Sequence, residues 1–272
     1  MSDLDKKIQS SIRLIKALDG LEPELAYSGG KDSDVIFTLA QMSGIKFHPI
    51  YKMTTIDPPG TIAHVKAKGV EIRKTKQTFF QLVEKKGFPS RFARFCCSEL
   101  KEYKILDKAI LGIRRNESKA RSERYQDPSM CRVYRKNESS ELFFPILEWS
   151  DQDVKDFVNH YGVQCHPLYY DEHGKFNVKK RLGCMCCPLQ HDRGKGDFLA
   201  YPKFVRLWIK AGSVWWNEHE NLKSKSKFQD IYELFAFRTF FDSLDKFCLN
   251  KEALFETDWK AALEDYFKIE LP

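Results

Sequence analysis

Six consecutive residues near the beginning of the chain constrain its fold more than any other stretch: Ser28, Gly29, Gly30, Lys31, Asp32 and Ser33. They follow the apolar run 24–27, which fits the end of a buried strand, and they precede residues 34–40, whose apolar positions recur at helical spacing. A strand, a glycine-rich turn and a helix together aim backbone N–H groups and a helix N-terminus at an anion. The glycines permit positive φ and close backbone approach, while the two hydroxyls and the ammonium group add donors. The stretch therefore predicts a phosphate site, and the alternative is an ordinary strand-to-helix turn capped by Ser or Asp.

The same hexamer resembles the PP-loop of the ATP pyrophosphatase superfamily, also called the adenine nucleotide α-hydrolases. It is not a Walker A loop, which requires Gly-x-x-x-x-Gly-Lys-Ser/Thr. Members of that superfamily bind ATP or an adenylyl-sulfate on a doubly wound sheet, and they typically activate an acceptor by adenylation with release of pyrophosphate. The resemblance implies an α/β fold with a doubly wound, mostly parallel sheet, an adenine nucleotide as ligand, and Lys31 and Asp32 as catalytic residues.

Composition excludes several classes of protein. With 272 residues, of which 42% are hydrophobic, the chain can bury a real core as one large domain or as one domain with an appendage. The formal net charge of +7 gives a mild bias toward anionic ligands, well short of the basic stripe of a dedicated nucleic-acid binder. The N-terminus is polar and acidic, and no apolar run approaches the length of a membrane span, so we expect a cytoplasmic protein without a signal peptide or a membrane partner. The eight cysteines are then better explained as metal ligands or reactive thiols than as disulfides.

Hydrophobic periodicity predicts how strands and helices alternate along the chain. A helix is expected over residues 3–18, and further strands are expected at 45–51, 70–73, 109–113 and 142–146. Residues 124–140 are polar and contain Pro128, which predicts a surface loop. Ser150 and Asp153 have the spacing of an N-cap and capping-box pair at the start of a helix. The pattern is helical from Phe198 onward, which predicts a nucleotide-binding domain over residues 1–197 and a helical C-terminal extension over 198–272.

Asp57 belongs to the turn-rich segment 54–61, which follows the second predicted strand. Ligands of open α/β sheets sit at the carboxyl ends of the strands. Asp57 is therefore a candidate for holding a ribose hydroxyl or Mg²⁺, and the alternative is a turn or capping aspartate.

Two distant pairs of cysteines predict a metal centre. Cys96 and Cys97 are adjacent, and 86 residues separate this pair from Cys184. Cys184 begins a Cys-x-x-Cys with Cys187, although Cys186 is a second candidate partner of Cys187. Four thiolates brought together suit a tetrahedral metal ion or an iron–sulfur cluster, and ligand type alone does not separate Zn²⁺ from [4Fe–4S]. Buried apolar thiols are the alternative, and this interpretation fits the remaining cysteines individually: Cys131, Cys165 and Cys248.

Further segments extend the resemblance to the phosphoadenylyl-sulfate/adenylyl-sulfate reductase family. Residues 112–121 look like the family's Gly-x-Arg-x-x-Glu-Ser-x-x-Arg, and residues 145–154 look like its Pro-Leu-x-x-Trp-x-x-x-Asp-Val. Residues 166–170 look like the Asn-Pro-Leu-Tyr run that precedes its second cysteine pair. In the family's iron–sulfur branch four cysteines in this pattern hold a [4Fe–4S] cluster. The resemblance spans roughly residues 25–190 and implies the following cluster ligands, with zinc as the alternative metal: Cys96, Cys97, Cys184 and Cys187.

Three arginines are candidates for binding the nucleotide: Arg114, Arg115 and Arg121. They lie just beyond an apolar strand, at the sheet edge where the hexamer is expected. Guanidinium forks suit sulfate and phosphate oxygens. A solvated basic turn is the alternative. We interpret His166 as structural, because a His-Pro turn needs no further role.

Two features depart from the reductases. Those enzymes end in a flexible tail carrying Glu-Cys-Gly-X-His, whereas this sequence has no such motif, and Cys248 lies in a helical, aromatic context that does not suit a mobile nucleophile. Their phosphate loop also tends to be altered because they bind no pyrophosphate leaving group, whereas Ser28–Ser33 is intact. The intact loop favours Mg²⁺·ATP over adenylyl-sulfate as the substrate.

Three functional hypotheses follow. The first is an ATP pyrophosphatase that transfers sulfur to a nucleic acid, as in DNA phosphorothioation or tRNA thiolation, with a cysteine desulfurase or another sulfur donor as partner. The second is a sulfonucleotide reductase, and the third is a nucleotide-binding regulatory module without turnover. The sequence leaves the oligomeric state open, with a homodimer among the alternatives.

Overall fold

One six-stranded sheet is the frame of the structure, a computed structural model that describes residues 2–135, 138–219, 227–241, 243–253 and 258–272. Its strands are β1 (Glu24–Tyr27), β2 (His48–Met53), β3 (Glu71–Lys74), β4 (Lys108–Leu111), β5 (Ser129–Arg135) and β6 (Glu138–Phe143). Their order is β3-β2-β1-β4-β6-β5, and every neighbouring pair is parallel except β5 and β6. The predicted α/β fold with a mostly parallel sheet is thereby confirmed.

The helices alternate with the strands and then dominate the C-terminal third of the chain. They are α1 (Asp3–Lys16), α2 (Lys31–Ser43), α3 (Thr61–Ala67), α4 (Phe79–Lys86), α5 (Phe95–Leu100), α6 (Lys119–Arg124), α7 (Asp151–Tyr161), α8 (Lys195–Ala200), α9 (Lys203–Glu218), α10 (Ile231–Phe240), α11 (Leu244–Ala253) and α12 (Trp259–Phe267). The predicted capping box opens α7, where the Ser150 hydroxyl accepts from the Asp153 backbone N–H at 3.1 Å and the Asp153 carboxylate accepts from the Ser150 backbone N–H at 2.7 Å. None of these helices is long and apolar enough to cross a membrane, within the residues described.

The predicted surface loop over residues 124–140 is wrong. Ser129–Arg135 forms β5, the last strand of the sheet, and residues 138–140 already belong to β6. An edge strand pairs on one side only, so it tolerates polar and charged residues that give no hydrophobic signal. Pro128 ends the turn immediately before β5, where a missing N–H costs no ladder hydrogen bond.

The chain divides into two compact units. The first comprises Met1–Met53, Asp57–Lys74 and Lys101–Gly183, and the second comprises Thr54–Ile56, Thr75–Leu100 and Cys184–Pro272. The second unit therefore draws on three separate stretches of sequence. The predicted domain boundary between residues 197 and 198 stays a prediction.

The larger hydrophobic cluster of the first unit packs against the sheet, and a smaller cluster includes Ala109 of β4 and Leu142 of β6. Leu25 of β1 and Ile110 of β4 are fully buried, together with Ile15 of α1, Val35 of α2 and Phe157 of α7. The glycine-rich loop connects β1 to α2 and is therefore held between two elements of this core.

The core of the second unit is rich in aromatic rings. Trp208 of α9 is fully buried, and its ring centroid lies 5.7 Å from that of Phe198 and 5.0 Å from that of Phe79. Phe235 of α10 packs on Phe198 with a centroid distance of 5.2 Å. These contacts confirm that core packing accounts for the aromatic residues of the C-terminal region.

Candidate nucleotide site and thiol cluster

The backbone of the glycine-rich loop is shaped by Gly29. Its φ is +76°, and a Cβ at this position would stand 3.2 Å from Thr61 Cγ2 and 3.5 Å from Leu182 Cδ2. Both the left-handed conformation and the crowding require glycine. Gly30 then precedes α2 as its N-cap and supplies no side-chain hydrogen bond to the helix. The loop thus brings the N-terminus of a buried helix to the carboxyl end of β1, as the sequence predicts.

The two serines of the loop brace its turn. Ser28 Oγ accepts from the Gly30 N–H at 3.3 Å and donates to Ser33 Oγ at 3.2 Å. Ser33 Oγ donates to the Gly30 carbonyl at 2.7 Å. Both hydroxyl protons are donated within the loop, so the two serines fix the shape of the turn.

A chain of charges runs through the loop and into the body of the first unit. Lys31 Nζ lies 3.1 Å from Asp32 Oδ2, and Asp32 Oδ1 accepts from Arg114 Nε at 2.7 Å. Arg114 also donates to Asp151 Oδ1 at 2.9 Å and to the Trp149 carbonyl at 3.3 Å. Lys31 is only 4% exposed and Arg114 only 1% exposed, so these charges are paired within the protein interior. Arg114 is thereby placed to orient Asp32, and its predicted contact with the nucleotide stays a prediction.

Gly112 allows the end of β4 to approach the loop closely. A Cβ on Gly112 would stand 2.8 Å from the Asp32 carbonyl oxygen and 3.3 Å from the Ser33 nitrogen. Because these are backbone atoms, they cannot turn aside as a flexible side chain would. Gly112 belongs to a segment that carries the family resemblance, but its spatial role could not be derived from spacing alone.

Three further residues are predicted to bind the nucleotide, and two of them, Arg115 and Arg121, are paired with groups of the protein. Arg115 donates to the carbonyl oxygens of Tyr125 and Gln126 and pairs with Glu148. Arg121 pairs with Glu117, and its pKa is lowered by burial, while the charges of Asp32 and Arg114 act on it in opposite directions. Asp57 lies half-buried in the turn before α3. The predicted roles of these three residues in binding a nucleotide stay predictions.

Tyr169 lies against the loop and was not singled out by the sequence. Its hydroxyl would stand 3.4 Å from a Cβ on Gly30, and it accepts from the Leu182 N–H at 3.2 Å. Burial raises the pKa of Tyr169, while hydrogen bonds from the backbone of Lys31 and Leu182 oppose that effect. Lys31 Nζ also lies 5.6 Å from the centroid of the Tyr169 ring. The ring therefore forms one wall beside the predicted catalytic lysine.

A buried polar network supports the loop from below. Asp34 is fully buried and accepts from the Tyr27 hydroxyl, while His64 Nε2 lies 3.0 Å from Asp34 Oδ1. The rings of His64 and His166 meet edge to face at 5.6 Å, and His166 Nε2 lies 3.4 Å from the hydroxyl of Thr61. Because Thr61 also packs against Gly29, the network reaches the loop itself. Asp34 in α2 and His64 in α3 are polar residues among apolar neighbours, and this is the sequence signal that could have identified the network.

The second unit gathers the four cysteines predicted to bind metal. Cys96 and Cys97 lie in α5, and Cys184 and Cys187 lie in the turns before α8. The pKa of Cys96 is raised by its hydrogen bond with Cys97, by burial and by the negative charge of the other three thiols. The thiols of two distant segments are therefore within electrostatic reach of each other. A bound cation would reverse this effect, because coordination stabilises the thiolate.

The structure separates Cys186 from the other cysteines of its segment. Cys186 is fully buried in the core of the second unit, and its pKa is raised chiefly by burial. Its backbone N–H donates to Asp197 Oδ2 at 2.7 Å. This environment suits an inert buried thiol and supports Cys184, rather than Cys186, as the partner of Cys187.

The donor set suits a thiolate-bound metal, although the ligands are not yet arranged around one. Within the described residues, no three His, Cys, Asp or Glu side chains are positioned to hold a metal ion as they stand. Cys184 Sγ instead lies 3.7 Å from Thr54 Oγ1. The fit rests on the chemistry of the donor set, because four thiols are the ligands that zinc and iron–sulfur clusters prefer.

Comparison with known proteins gives matches to sequences and to solved structures. The chain is 34% identical over 142 residues to an uncharacterized 37.8 kDa protein of Escherichia phage 186, which covers 44% of this chain and 38% of that protein. It is 29% identical over 201 residues to an uncharacterized protein of Methanocaldococcus jannaschii, which covers 68% of this chain and 46% of that protein. The matched part of the chain thus spans less than half the length of these two relatives.

Two solved structures are similar in fold. Phosphoadenylyl-sulfate reductase from Candida auris, in a phosphate complex, superposes with a TM-score of 0.46 at 17% identity over 68% of this chain and 96% of that chain. The U34-tRNA thiolase NcsA from Methanococcus maripaludis, with its [4Fe-4S] cluster, superposes with a TM-score of 0.41 at 10% identity over 81% of each chain.

The family match is the strongest of these findings. Residues 22–190 match the phosphoadenosine phosphosulfate reductase domain, which is more than half of the chain and nearly the stretch over which the sequence motifs resemble that family. The matched residues include the glycine-rich loop, Arg114 and all four predicted metal ligands. The chain therefore belongs to the phosphoadenosine phosphosulfate reductase domain family.

Proposed function

We propose that this protein is an ATP pyrophosphatase that adenylates an acceptor so that sulfur can be transferred to it. The observation that carries the proposal is the geometry of Ser28–Ser33: a left-handed Gly29, oriented hydroxyls, and a buried Lys31 at the start of α2. Such a loop offers several donors to two adjacent phosphates at once. A substrate with a pyrophosphate leaving group uses all of them, whereas adenylyl-sulfate lacks that group.

The proposed reaction displaces pyrophosphate from the α-phosphorus of ATP. An acceptor oxygen forms a bond to the α-phosphorus, the bond to the bridging oxygen of pyrophosphate breaks, and the pyrophosphate leaves on Ser28–Ser33. Lys31 and the loop N–H groups stabilise the charge that develops on the leaving group. The sulfur of hydrosulfide then attacks the carbon or phosphorus that bears the adenylated oxygen, the bond to that oxygen breaks, and the oxygen leaves as part of AMP. A persulfide donor would need a thiol reductant, which supplies the two electrons that release its sulfur as hydrosulfide.

The ion pairs around Lys31 fit this task. Lys31 and Asp32 are partners without substrate, and Asp32 has a second partner in Arg114. When Lys31 turns to a phosphate oxygen, Asp32 remains paired, so no buried carboxylate is left uncompensated. Mg²⁺ would accompany ATP, with Asp57 as the proposed contact to the metal or to the ribose.

The thiol cluster would hold the second reactant. Cys96, Cys97, Cys184 and Cys187 are the proposed ligands of a [4Fe–4S] cluster, with zinc as the alternative, and such a centre can carry or activate sulfur. A cysteine desulfurase or another donor would supply the sulfur, and a nucleic acid is the proposed acceptor. The net charge of +7 is modest, which favours an acceptor presented with a partner protein.

The test is a product analysis on anaerobically reconstituted protein given either ATP or adenylyl-sulfate, each with a sulfur donor and candidate nucleic acids. Release of AMP and pyrophosphate from ATP is the expected result. Lys31→Met should abolish it, whereas Lys46→Met, which removes an exposed lysine paired with Glu22, should not. Sulfite released from adenylyl-sulfate with thioredoxin would assign a reductase instead. Tight nucleotide binding without either product would assign a regulatory module.

A further inference from the structure

Arg238 is a buried cation in the core of the second unit. It lies on α10 and is only 8% exposed. Its Nη2 donates to the Cys186 carbonyl at 2.8 Å and its Nε to the Pro89 carbonyl at 3.4 Å. Its Nη1 is buried and has no hydrogen-bond partner within the described parts of the chain. A buried guanidinium donor without an acceptor lowers the stability of the fold unless a nearby negative charge or acceptor compensates for it.

The surroundings of Arg238 contain aromatic rings and thiols. Its guanidinium carbon lies 4.1 Å from the centroid of Trp208 and 5.6 Å from that of Phe198, which offers partial compensation through cation–π contact. No carboxylate of the described residues forms an ion pair with it. Burial lowers the pKa of Arg238 to about 10, so the side chain keeps its charge at neutral pH. The Cys186 carbonyl that accepts from Arg238 lies between Cys184 and Cys187, so the guanidinium is held against the segment that carries two of the predicted ligands.

We propose that Arg238 is the buried counter-charge of an anionic thiolate centre formed by the four predicted metal ligands. This inference rests on the metal centre in the proposed function. Thiols release their protons when they bind a metal. Four thiolates around Zn²⁺ or an oxidised [4Fe–4S] core leave two formal negative charges. One buried guanidinium beside the centre offsets part of that charge.

Arg238 comes from a different part of the chain than the predicted metal ligands. It lies outside residues 22–190, the part of the chain that matches the family. The thiol pairs come from the matched segment, but the charge that would neutralise them comes from α10 in the C-terminal region. The C-terminal helices then do more than complete the hydrophobic core, because they supply an electrostatic part of the metal centre.

A counter-charge and a structural arginine predict opposite effects in the metal-free protein. As a counter-charge, Arg238 destabilises the folded protein when the thiols are protonated. It stabilises the folded protein when they bind a metal as thiolates. As a purely structural residue that anchors the carbonyls of Cys186 and Pro89, it would stabilise both states equally. Removing the charge while keeping the volume distinguishes the two roles.

The experiment compares wild-type protein with Arg238→Met, Arg238→Lys and the control Arg206→Met. Arg206 lies on α9 and is exposed, with its Nε donating to the Glu270 carbonyl at 2.8 Å. Each protein, comprising residues 1–272, is prepared metal-free under reducing, anaerobic conditions. Zinc affinity is then measured by competition with a chromophoric chelator, and urea unfolding is followed with and without zinc.

We expect Arg238→Met to weaken zinc binding by about tenfold or more, the size of effect usual for residues that support metal ligands. Its urea midpoint without zinc should equal or exceed that of the wild type. Arg238→Lys should keep most of the affinity because it keeps the charge, and Arg206→Met should match the wild type throughout.

Unchanged zinc affinity with equal destabilisation of both forms by Arg238→Met would overturn the proposal and assign a structural role. Loss of affinity in Arg238→Lys as large as in Arg238→Met would also overturn it, because hydrogen-bond geometry rather than charge would then be responsible. A wild-type protein that binds neither zinc nor an iron–sulfur cluster would overturn it too. Pyrophosphate release from ATP, measured on the same sample, reports separately on the proposed function.

Discussion

The glycine-rich loop lies within six consecutive residues, whereas the thiol cluster brings together segments that are far apart in the sequence. The charges at the loop are neutralised by ion pairs within the protein, because Asp32 pairs with both Lys31 and Arg114. At the thiol cluster, the contacts that the buried Arg238 guanidinium makes with described residues are with aromatic rings and backbone carbonyls.

This difference indicates which site is preorganised and which needs its ligand. The loop has its backbone, hydroxyls and ion pairs in place, so a nucleotide has only to bind. At the thiol cluster the thiol pKa values are raised, and Arg238 Nη1 has no hydrogen-bond partner among the described residues, so the proposed metal would complete the electrostatics of this site. Substitutions at the loop should therefore affect the metal-free and metal-loaded proteins alike, whereas substitutions at the cluster should not.

The largest expected effect concerns the thiol cluster. Cys184→Ser should remove one ligand and with it several of the roughly 10 kcal/mol or more that a structural metal site of this kind contributes. The bound metal is measured by elemental analysis after gel filtration, and stability by urea unfolding. Cys131→Ser is the matched control because Cys131 is exposed on β5. Equal metal content in both variants would contradict the proposal that Cys184 is a metal ligand.

A second prediction concerns the paired charges beside the loop. Arg114→Met removes one of the two buried partners of Asp32, which keeps Lys31, and also the partner of the half-exposed Asp151, so it should lower the free energy of unfolding by about 2 kcal/mol. Arg115→Met removes a neighbouring arginine that is more exposed and should cost about 1 kcal/mol or less. Both losses should be the same with and without metal. A metal-dependent loss for Arg114→Met would contradict the separation of the two sites.

A third prediction tests the close backbone approach at the end of β4. Gly112→Ala places a Cβ 2.8 Å from the Asp32 carbonyl oxygen, so the loop must shift. We expect a loss of about 2 kcal/mol in unfolding free energy and weaker ATP binding in a calorimetric titration. Gly183→Ala is the control, because a Cβ there meets nothing within 4 Å. Normal ATP affinity in Gly112→Ala would show that the loop position is not set by this contact.

The smallest expected effect is a dependence on acid in the network below the loop. The pKa of His166 is lowered from 6.5, first by burial and then by the charge of His64, while Asp34 opposes the shift. The unfolded chain therefore binds a proton more readily, and the stability present above pH 6.5 should fall as the pH drops toward the lowered folded-state pKa. His166 Nδ1 accepts from the Leu168 N–H at 3.1 Å, an arrangement that protonation would disrupt.

His166→Asn should flatten this pH dependence in urea unfolding while leaving the profile above neutrality unchanged. A profile as steep as that of the wild type would assign the acid sensitivity to other groups.

The sequence predicted the parts of the structure that depend on local pattern. The β1–loop–α2 unit, the capping box at Ser150 and the helical C-terminal region follow from periodicity and cap chemistry, and the structure has them. The strand β5 was missed because an edge strand carries polar residues such as Arg132 and needs no apolar alternation.

The parts that could not be predicted depend on contacts between distant residues. Arg114 was expected to bind the nucleotide, but no sequence pattern shows that its partners are Asp32 and Asp151. The crowding at Gly112 and the wall formed by Tyr169 also exist only in the folded protein. Arg238 had a usable signal, since it is a single arginine within the apolar run Ile231–Phe240.

In the proposed reaction, Ser28–Ser33 holds the pyrophosphate of ATP while the α-phosphorus is attacked. Phosphorus NMR of a reaction with Mg²⁺·ATP, a sulfur donor and the acceptor tests it most directly, because the spectrum shows which phosphate bond breaks. We expect AMP and pyrophosphate in equal amounts with the wild-type protein and neither product with Lys31→Met. Formation of ADP and inorganic phosphate, or release of sulfite from adenylyl-sulfate with ATP left intact, would contradict it.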